Sequence, residues 1–131
     1  MRVLVIDDNP DIAELVGSIL ESQGHDVSTF HESARTISEI RYKDWDLAVT
    51  DMYMPDCDGF DILREVRHSH APFPVIVMSG AARMRGGFDP LHCAQELGAA
   101  AILKKPFRMH DLLDAVRHVE ASGCPAQRKS A

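Results

Sequence analysis

Short apolar segments alternate with amphipathic segments along the chain, and this alternation restricts the possible folds more than any other feature. Residues 3–6 form a continuous, largely β-branched run, which is typical of a strand buried on both faces. The stretch after Pro10 instead has apolar residues at helical spacing, and Gly24 ends it. The same alternation predicts strands at 26–30, 46–50, 74–78 and 100–103, and helices at 33–42, 58–66, 89–97 and 109–119. Five strands alternating with five helices predict βαβ units, a parallel sheet and right-handed crossovers.

The length of 131 residues suits one domain with one hydrophobic core. Hydrophobic residues make up 45% of the chain, which is too many for a disordered protein. Asp7 and Asp8 interrupt the first apolar run after four residues, so it is too short for a signal peptide or a membrane span. We therefore expect a cytoplasmic protein folded over residues 1–121. Residues 122–131 are small, polar and unpatterned, and they predict a disordered tail.

The formal charge of −6 argues against direct binding of nucleic acid, which requires a basic surface. No segment indicates attachment to a membrane. The three cysteines, Cys57, Cys93 and Cys124, are widely spaced and match neither a disulfide framework nor a zinc motif. Cys57 lies between two aspartates, which raise a thiol pKa and so argue against a reactive cysteine.

The residues that end the predicted strands carry most of the functional information. Ligands of an open α/β sheet bind outside the carboxyl ends of its strands. The first strand ends in Asp7 and Asp8, the third in Asp51, the fourth in Ser79, and the fifth in the pair 104–105, both lysines. We therefore expect three carboxylates, a hydroxyl and an ammonium group to meet at one edge of the sheet.

This set of groups suits a divalent cation and phosphoryl transfer. Carboxylates held close together repel one another unless a cation lies between them. Oxygen ligands without a nearby thiolate or imidazole favour Mg²⁺, with Mn²⁺ as the second choice. A metal and a lysine can neutralise a phosphoryl group while a carboxylate accepts it. The chain has neither a P-loop motif nor a Gly-x-Gly-x-x-Gly motif, so nucleotide binding has no support.

Aspartate is also a common helix N-cap, which gives these residues a purely structural interpretation. Capping would explain one or two of Asp7, Asp8 and Asp51. It would not explain the Lys105-Pro106 pair at the end of another strand. We expect Lys104 to be a solvated lysine and Lys105, next to Pro106, to be the functional one.

The sequence resembles the receiver domains of two-component response regulators over residues 2–121. The resemblance rests on four motifs that occur in the family's order, each at its expected strand end. They are Ile6-Asp7-Asp8, Asp51-Met52-Tyr53-Met54-Pro55 with Asp58-Gly59, Ser79-Gly80, and Lys105-Pro106-Phe107. The resemblance implies a flavodoxin-like (βα)5 three-layer sandwich with a five-stranded parallel sheet of order 2-1-3-4-5, and a receiver domain over residues 1–121.

The resemblance also implies a role for each site residue. Asp51 is the phosphoacceptor, and it binds Mg²⁺ together with Asp8 and the backbone carbonyl of Tyr53, while Asp7 acts mainly through water. Lys105 pairs with Asp51 and later with its phosphate, and Ser79 hydrogen-bonds that phosphate. The Lys105-Pro106 peptide bond is expected to be cis.

By the same resemblance, the phosphoryl donor is a phosphohistidine on a histidine kinase or a histidine phosphotransfer protein. Phosphorylation then biases a surface made by the fourth helix, fifth strand and fifth helix, which binds an unknown downstream protein and can support a homodimer. The protein is not an enzyme in the usual sense, although it assists its own phosphorylation and dephosphorylation. Two alternatives stay open: a phosphorelay carrier that passes the phosphoryl group to a second histidine protein, and a receiver fragment of a larger regulator.

The chain departs from the family pattern at three places. At one of them, no output domain is expected after the fifth helix, so we predict a single-domain response regulator. The position three before Lys105 is often aromatic in the family and is Ile102 here, so the usual aromatic switch cannot operate. The segment 81–88, which contains two arginines and two glycines, makes the interval between Ser79 and Lys105 a few residues longer than the common pattern. We expect this segment to be a mobile, basic loop.

Overall fold

The computed structural model describes residues 1–52, 54, 58–80 and 98–122. Five strands and four helices lie within this part of the chain. Their order is β1 (Arg2–Ile6), α1 (Pro10–Ser22), β2 (Asp26–Phe30), α2 (Ser33–Tyr42), β3 (Leu47–Asp51), α3 (Gly59–Arg67), β4 (Val75–Gly80), β5 (Ala101–Lys105) and α4 (Met109–Ala121). The helix α4 corresponds to the fifth helix predicted from the sequence. The predicted helix at 89–97, the loop at 81–88 and all of the predicted tail except Ser122 lie outside the described residues.

The strands form one parallel sheet of order β2-β1-β3-β4-β5, as predicted. Each strand pairs in register with its neighbour, so the carboxyl ends align at one edge. Ile6 on β1 pairs with Thr50 on β3, and Asp51 pairs with Met78 on β4. The predicted α/β class, strand order and flavodoxin-like architecture are therefore confirmed.

Alternating side chains of the sheet build two hydrophobic layers. Val3 and Val5 pack on one face against α1 and α4, and Leu4 and Ile6 pack on the other face with residues of α2 and α3. All four of these side chains are fully buried. Burial on both faces explains why the first strand is a continuous apolar run rather than an alternating one. Helices on both faces give the three-layer sandwich.

Local sequence signals set where the helices begin and end. The side chain of Asn9 accepts a hydrogen bond from the Asp11 N–H, and Pro10 starts α1. Asp58 and Asp61 form a reciprocal capping box at the start of α3. Gly24 follows the end of α1 with a φ of +88°, in the left-handed region that glycine adopts without strain.

Three strands continue one or two residues beyond their apolar runs and include polar residues that the sequence places at the strand ends. β3 reaches Asp51, β4 reaches Gly80 and β5 reaches Lys105. The pattern underestimates these ends because it follows apolar residues, whereas backbone pairing continues through polar ones, such as Ser79 with Lys104. Asp51, Ser79 and Lys105 therefore stand on the sheet itself, whereas Asp7 and Asp8 directly follow β1. None of the helices in the described ranges is long and apolar enough to span a membrane.

Candidate functional site

Three carboxylates meet at the carboxyl edge of the sheet, where β1 and β3 end side by side. Asp7, Asp8 and Asp51 each offer an oxygen atom, and these atoms lie within 4.8 Å of one another. Asp7 and Asp51 are 1% and 8% exposed, whereas Asp8 faces solvent. Oxygen ligands that are accessible to water on the Asp8 side suit a divalent cation such as Mg²⁺, because Mg²⁺ usually keeps several water ligands when it binds to a protein. The residues present therefore fit the magnesium site that the sequence predicts.

Lys105 connects two of these carboxylates. Its Nζ lies 3.1 Å from Asp7 Oδ2 and 3.1 Å from Asp51 Oδ1, so one ammonium group donates to both. The preceding β5 residue, Lys104, is exposed, because successive side chains of a strand point to opposite sides. The Lys105-Pro106 peptide bond is cis, as the resemblance implies. The structure thus directs Lys105, and not Lys104, into the acidic cluster.

The pKa values of Asp51 and Lys105 show how the site balances burial against charge. Burial raises the pKa of the Asp51 carboxyl above its usual range; the Lys105 ammonium opposes this shift, and the Asp7 and Asp8 carboxylates add to it. Burial alone would lower the pKa of Lys105, but attraction to Asp51 and Asp7 outweighs it and raises that pKa. Before a cation binds, the cluster therefore holds more negative charge than Lys105 compensates.

The backbone of Asp7 is hydrogen-bonded to the last residue of β2 and to the residue that follows it. The Asp7 N–H donates to the Phe30 carbonyl at 3.2 Å, and the Nδ1 of His31 lies 3.0 Å from the Asp7 carbonyl oxygen. The Asp7 carboxylate is also occupied on both oxygens, since Oδ1 accepts from the Asn9 N–H at 2.9 Å. Sequence reasoning missed His31. It directly follows the second predicted strand, so reading the end of that strand would have included it.

The sequence that carries this arrangement matches a known family model. The model described as the response regulator receiver domain matches residues 3–117. This chain belongs to that family. Receiver domains are signalling domains of two-component systems rather than enzymes in the usual sense, and they interact with histidine kinases or phosphotransfer proteins.

Curated relatives of this receiver domain are regulatory proteins. The chain is 32% identical to "Regulatory protein VanRc" of Enterococcus gallinarum over 116 residues, which cover 88% of the chain and 48% of the relative. It is 36% identical to "C4-dicarboxylate transport transcriptional regulatory protein DctD" of Pseudomonas aeruginosa over 118 residues, which cover 88% of the chain and 24% of the relative. The chain spans about half the length, or less, of these two proteins.

A solved structure shares the fold. It is described as the "beryllofluoride-activated NtrC4 receiver domain dimer" and is 29% identical to this chain, with a TM-score of 0.77. The match covers 92% of this chain and 97% of the other.

The receiver domain brings together four of the six site residues predicted from the sequence, since Asp7, Asp8, Asp51 and Lys105 form the cluster described above. Ser79 is the last residue but one of β4, the strand between β3 and β5. Ser79 is 2% exposed, and its hydroxyl makes a long, 3.4 Å contact with the Gly80 carbonyl oxygen. Tyr53, the sixth residue, lies outside the described ranges, as does Cys57.

Proposed function

We propose that this receiver domain accepts a phosphoryl group on Asp51 from a phosphohistidine of a histidine kinase or a histidine phosphotransfer protein. One observation carries the proposal: Lys105 bridges Asp7 and Asp51 within a cluster of three carboxylates. A structural ion pair would need one carboxylate for one lysine. A second and third carboxylate at the same point leave an excess of negative charge that favours a divalent cation.

Asp7, Asp8 and Asp51, with the backbone carbonyl of Tyr53, would hold Mg²⁺, or Mn²⁺ in its place. When bound, the ion would supply positive charge that offsets the negative charge on the phosphoryl oxygens during transfer. An ionised Asp51 oxygen attacks phosphorus, forming a P–O bond as the P–N bond to the donor imidazole breaks. Lys105, already within 3.1 Å of the Asp51 carboxylate, moves its hydrogen bond to the new phosphoryl group.

Ser79 completes the phosphate contacts in this proposal. Its hydroxyl is buried near the end of β4, the strand next to β3, and makes only a long contact with the Gly80 carbonyl, so it can donate to a phosphoryl oxygen. The same groups hold the phosphoryl group when water later attacks it. In this proposal the domain therefore assists both its own phosphorylation and its own dephosphorylation.

Phosphorylation changes a surface made by the predicted helix before Gly98, by β5 and by α4, and partners bind there. A phosphoryl group adds charge and hydrogen bonds at the ends of β4 and β5, which can shift the balance between two arrangements of that surface. Ile102 pairs with Val77 in the sheet, where many family members have an aromatic residue. The switch then depends on movement of the backbone and helices. A downstream protein or a second copy of the chain binds the switched surface, and the NtrC4 dimer shows a relative in such an activated form.

We place the protein in the cytoplasm, since its relatives are described as transcriptional regulators. The folded receiver extends over residues 1–121 in this proposal and can act as a single-domain response regulator. The coverage of relatives, 48% and 24% of their lengths, equally supports a receiver that is part of a larger regulator.

Labelling with acetyl phosphate tests the phosphoacceptor. We expect one phosphoryl group per chain in the presence of Mg²⁺ and none in Asp51→Asn. Asp44→Asn is the matched control, because Asp44 is exposed and pairs with His70 away from the site. If Asp51→Asn is labelled like the unmodified protein, Asp51 is not the acceptor.

A second assay separates the two signalling roles. Labelled protein is mixed with purified histidine phosphotransfer proteins. Transfer of label from Asp51 to a histidine supports the relay carrier, whereas retention of label together with phosphorylation-dependent binding of another protein supports the switched interaction surface.

A further inference from the structure

His31 contacts the backbone of Asp7, one of the three aspartates of the acidic cluster, although it belongs to none of the family motifs. Its Nδ1 lies 3.0 Å from the Asp7 carbonyl oxygen, across 24 residues of sequence. A carbonyl oxygen can only accept, so Nδ1 must carry the hydrogen and donate it. His31 is the first residue after β2, and the Phe30 carbonyl just before it accepts from the Asp7 N–H. The chain leaving β2 therefore holds both polar groups of the Asp7 backbone.

The hydrogen bond from His31 restrains the Asp8 carboxylate more than it restrains the Asp7 carboxylate. The Asp7 carboxylate is fixed independently, because its two oxygens accept from the Asn9 N–H and from Lys105. Asp8 is exposed, and its side chain makes no hydrogen bond or ion pair with the residues that the structure describes. The position of the Asp8 carboxylate thus depends on the backbone that carries it. The Asp7 carbonyl belongs to the planar peptide unit that ends at the Asp8 Cα, so a bond to this carbonyl restrains the orientation of Asp8.

We propose that His31 is a positioning residue for the divalent cation: by holding the Asp7–Asp8 peptide it keeps the Asp8 carboxylate directed toward Asp51. This inference rests on the proposed function, since it assumes that Asp7, Asp8 and Asp51 bind Mg²⁺. It assigns to this chain a metal-site residue outside the acidic cluster. Groups that orient metal ligands in this way commonly change metal affinity by about 10–100-fold when removed.

The test measures Mg²⁺ binding by calorimetry in three variants. His31→Leu removes the donor and keeps a side chain of similar size. His31→Asn keeps a donor, because its amide nitrogen occupies the same place along the side chain as Nδ1. His68→Leu is the matched control: His68 Nδ1 also contacts a backbone carbonyl, that of Arg64 at 2.8 Å, but it lies at the end of α3 remote from the cluster.

We expect His31→Leu to bind Mg²⁺ about tenfold more weakly than the unmodified protein, the low end of the usual range. His31→Asn and His68→Leu should bind it with nearly unchanged affinity. The melting temperature of the metal-free protein should be the same for His31→Leu and His68→Leu. In acetyl phosphate labelling, His31→Leu should need more Mg²⁺ for half-maximal rate and reach the normal rate at saturation.

Unchanged Mg²⁺ affinity in His31→Leu overturns the inference and leaves the proposed function intact. An equal loss in His31→Leu and His31→Asn also overturns it, because the donated hydrogen bond would then not be responsible. If the unmodified protein binds no Mg²⁺, both the inference and the proposed metal site fail together.

Discussion

Asp51 is the residue at which burial and charge oppose each other most directly. Its carboxyl is nearly buried, with Asp7 and Asp8 close by, and only Lys105 offsets the charge among the described residues that surround it. The raised pKa of Asp51 means that the folded, metal-free protein binds a proton at this group more readily than the unfolded chain does. Ionisation of Asp51 therefore lowers the stability of the metal-free protein.

Asp51→Asn should accordingly stabilise the metal-free protein at neutral pH, because an amide cannot ionise. The advantage of the variant over the unmodified protein should grow as the pH rises from the ordinary Asp value of 3.8 to the raised pKa of the folded state. Above that pH the difference should stay constant. Urea unfolding of both proteins without metal between pH 4 and pH 7 measures it. A variant that is less stable throughout would contradict this account of Asp51.

Lys105→Met should have the opposite effect. The variant leaves Asp7 and Asp51 without their common ammonium partner, in a place where Lys105 itself is only a quarter exposed. We expect the free energy of unfolding of the metal-free protein to fall by about 2 kcal/mol, less than for a fully buried pair because the lysine retains contact with water. Addition of Mg²⁺ should recover part of the loss. Chemical unfolding with and without Mg²⁺ checks both statements, and Lys104→Met, at an exposed neighbour, is the control.

At the scale of elements, the start of α3 lies close to the end of β3. The Gly59 N–H donates to the Met52 carbonyl at 2.7 Å, and Met52 is fully buried directly after Asp51. A Cβ at Gly59 would lie 3.2 Å from the Met52 Cα and 3.4 Å from the Asp51 carbonyl oxygen. Since both are backbone atoms, neither can move aside without moving the backbone at Asp51 and Met52. The glycine of the Asp58-Gly59 motif is therefore required by close approach.

Gly59→Ala should destabilise the protein by about 1–3 kcal/mol, the usual range for overpacking. It should also slow labelling of Asp51, because the shift reaches the backbone of that residue. Gly80→Ala is a useful stability control, since a Cβ at Gly80 would meet no atom within 4 Å among the described residues other than its chain neighbours. Thermal unfolding compares the two, and equal stability of both variants would show that the contact of Gly59 with Asp51 and Met52 tolerates the extra methyl group.

At the scale of the whole molecule, the parallel sheet concentrates charge at one edge. The net charge is −6, and three of the carboxylates meet where β1 and β3 end. Parallel strands necessarily bring their carboxyl ends together, so residues far apart in sequence share one small volume. Part of the chain's negative charge is therefore concentrated at the candidate cation site, and the rest is spread over the surface.

Mg²⁺ should raise the melting temperature of the protein, and excess chelator should reverse the increase. A ligand that binds only the folded state stabilises it by about 2.7 kcal/mol at a concentration 100 times its Kd. The same addition should have a much smaller effect on Asp51→Asn, which lacks one charged ligand. An unchanged melting temperature on chelation would contradict the cation site.

Much of the fold could be predicted because local and global signals agree. The continuous apolar run of β1 indicates burial on both faces, and Asn9-Pro10 marks the start of α1 by its cap geometry. The strand ends were less predictable, since Ser79 and Lys105 continue the sheet through backbone pairing that no side-chain pattern reveals. The family resemblance supplied the strand order, which local periodicity alone does not contain.

The candidate site, like the fold, could be predicted from the sequence only in part. Reading the residues that end buried strands was enough to single out Asp7, Asp8, Asp51, Ser79 and Lys105, since parallel strands must present their carboxyl ends together. Only the folded chain decides that Lys105 donates to both Asp7 and Asp51, that burial raises the pKa of Asp51, and that His31 holds the Asp7 carbonyl. These outcomes depend on distances and exclusion of water between segments up to 98 residues apart, and such quantities exist only once the strands and helices have packed.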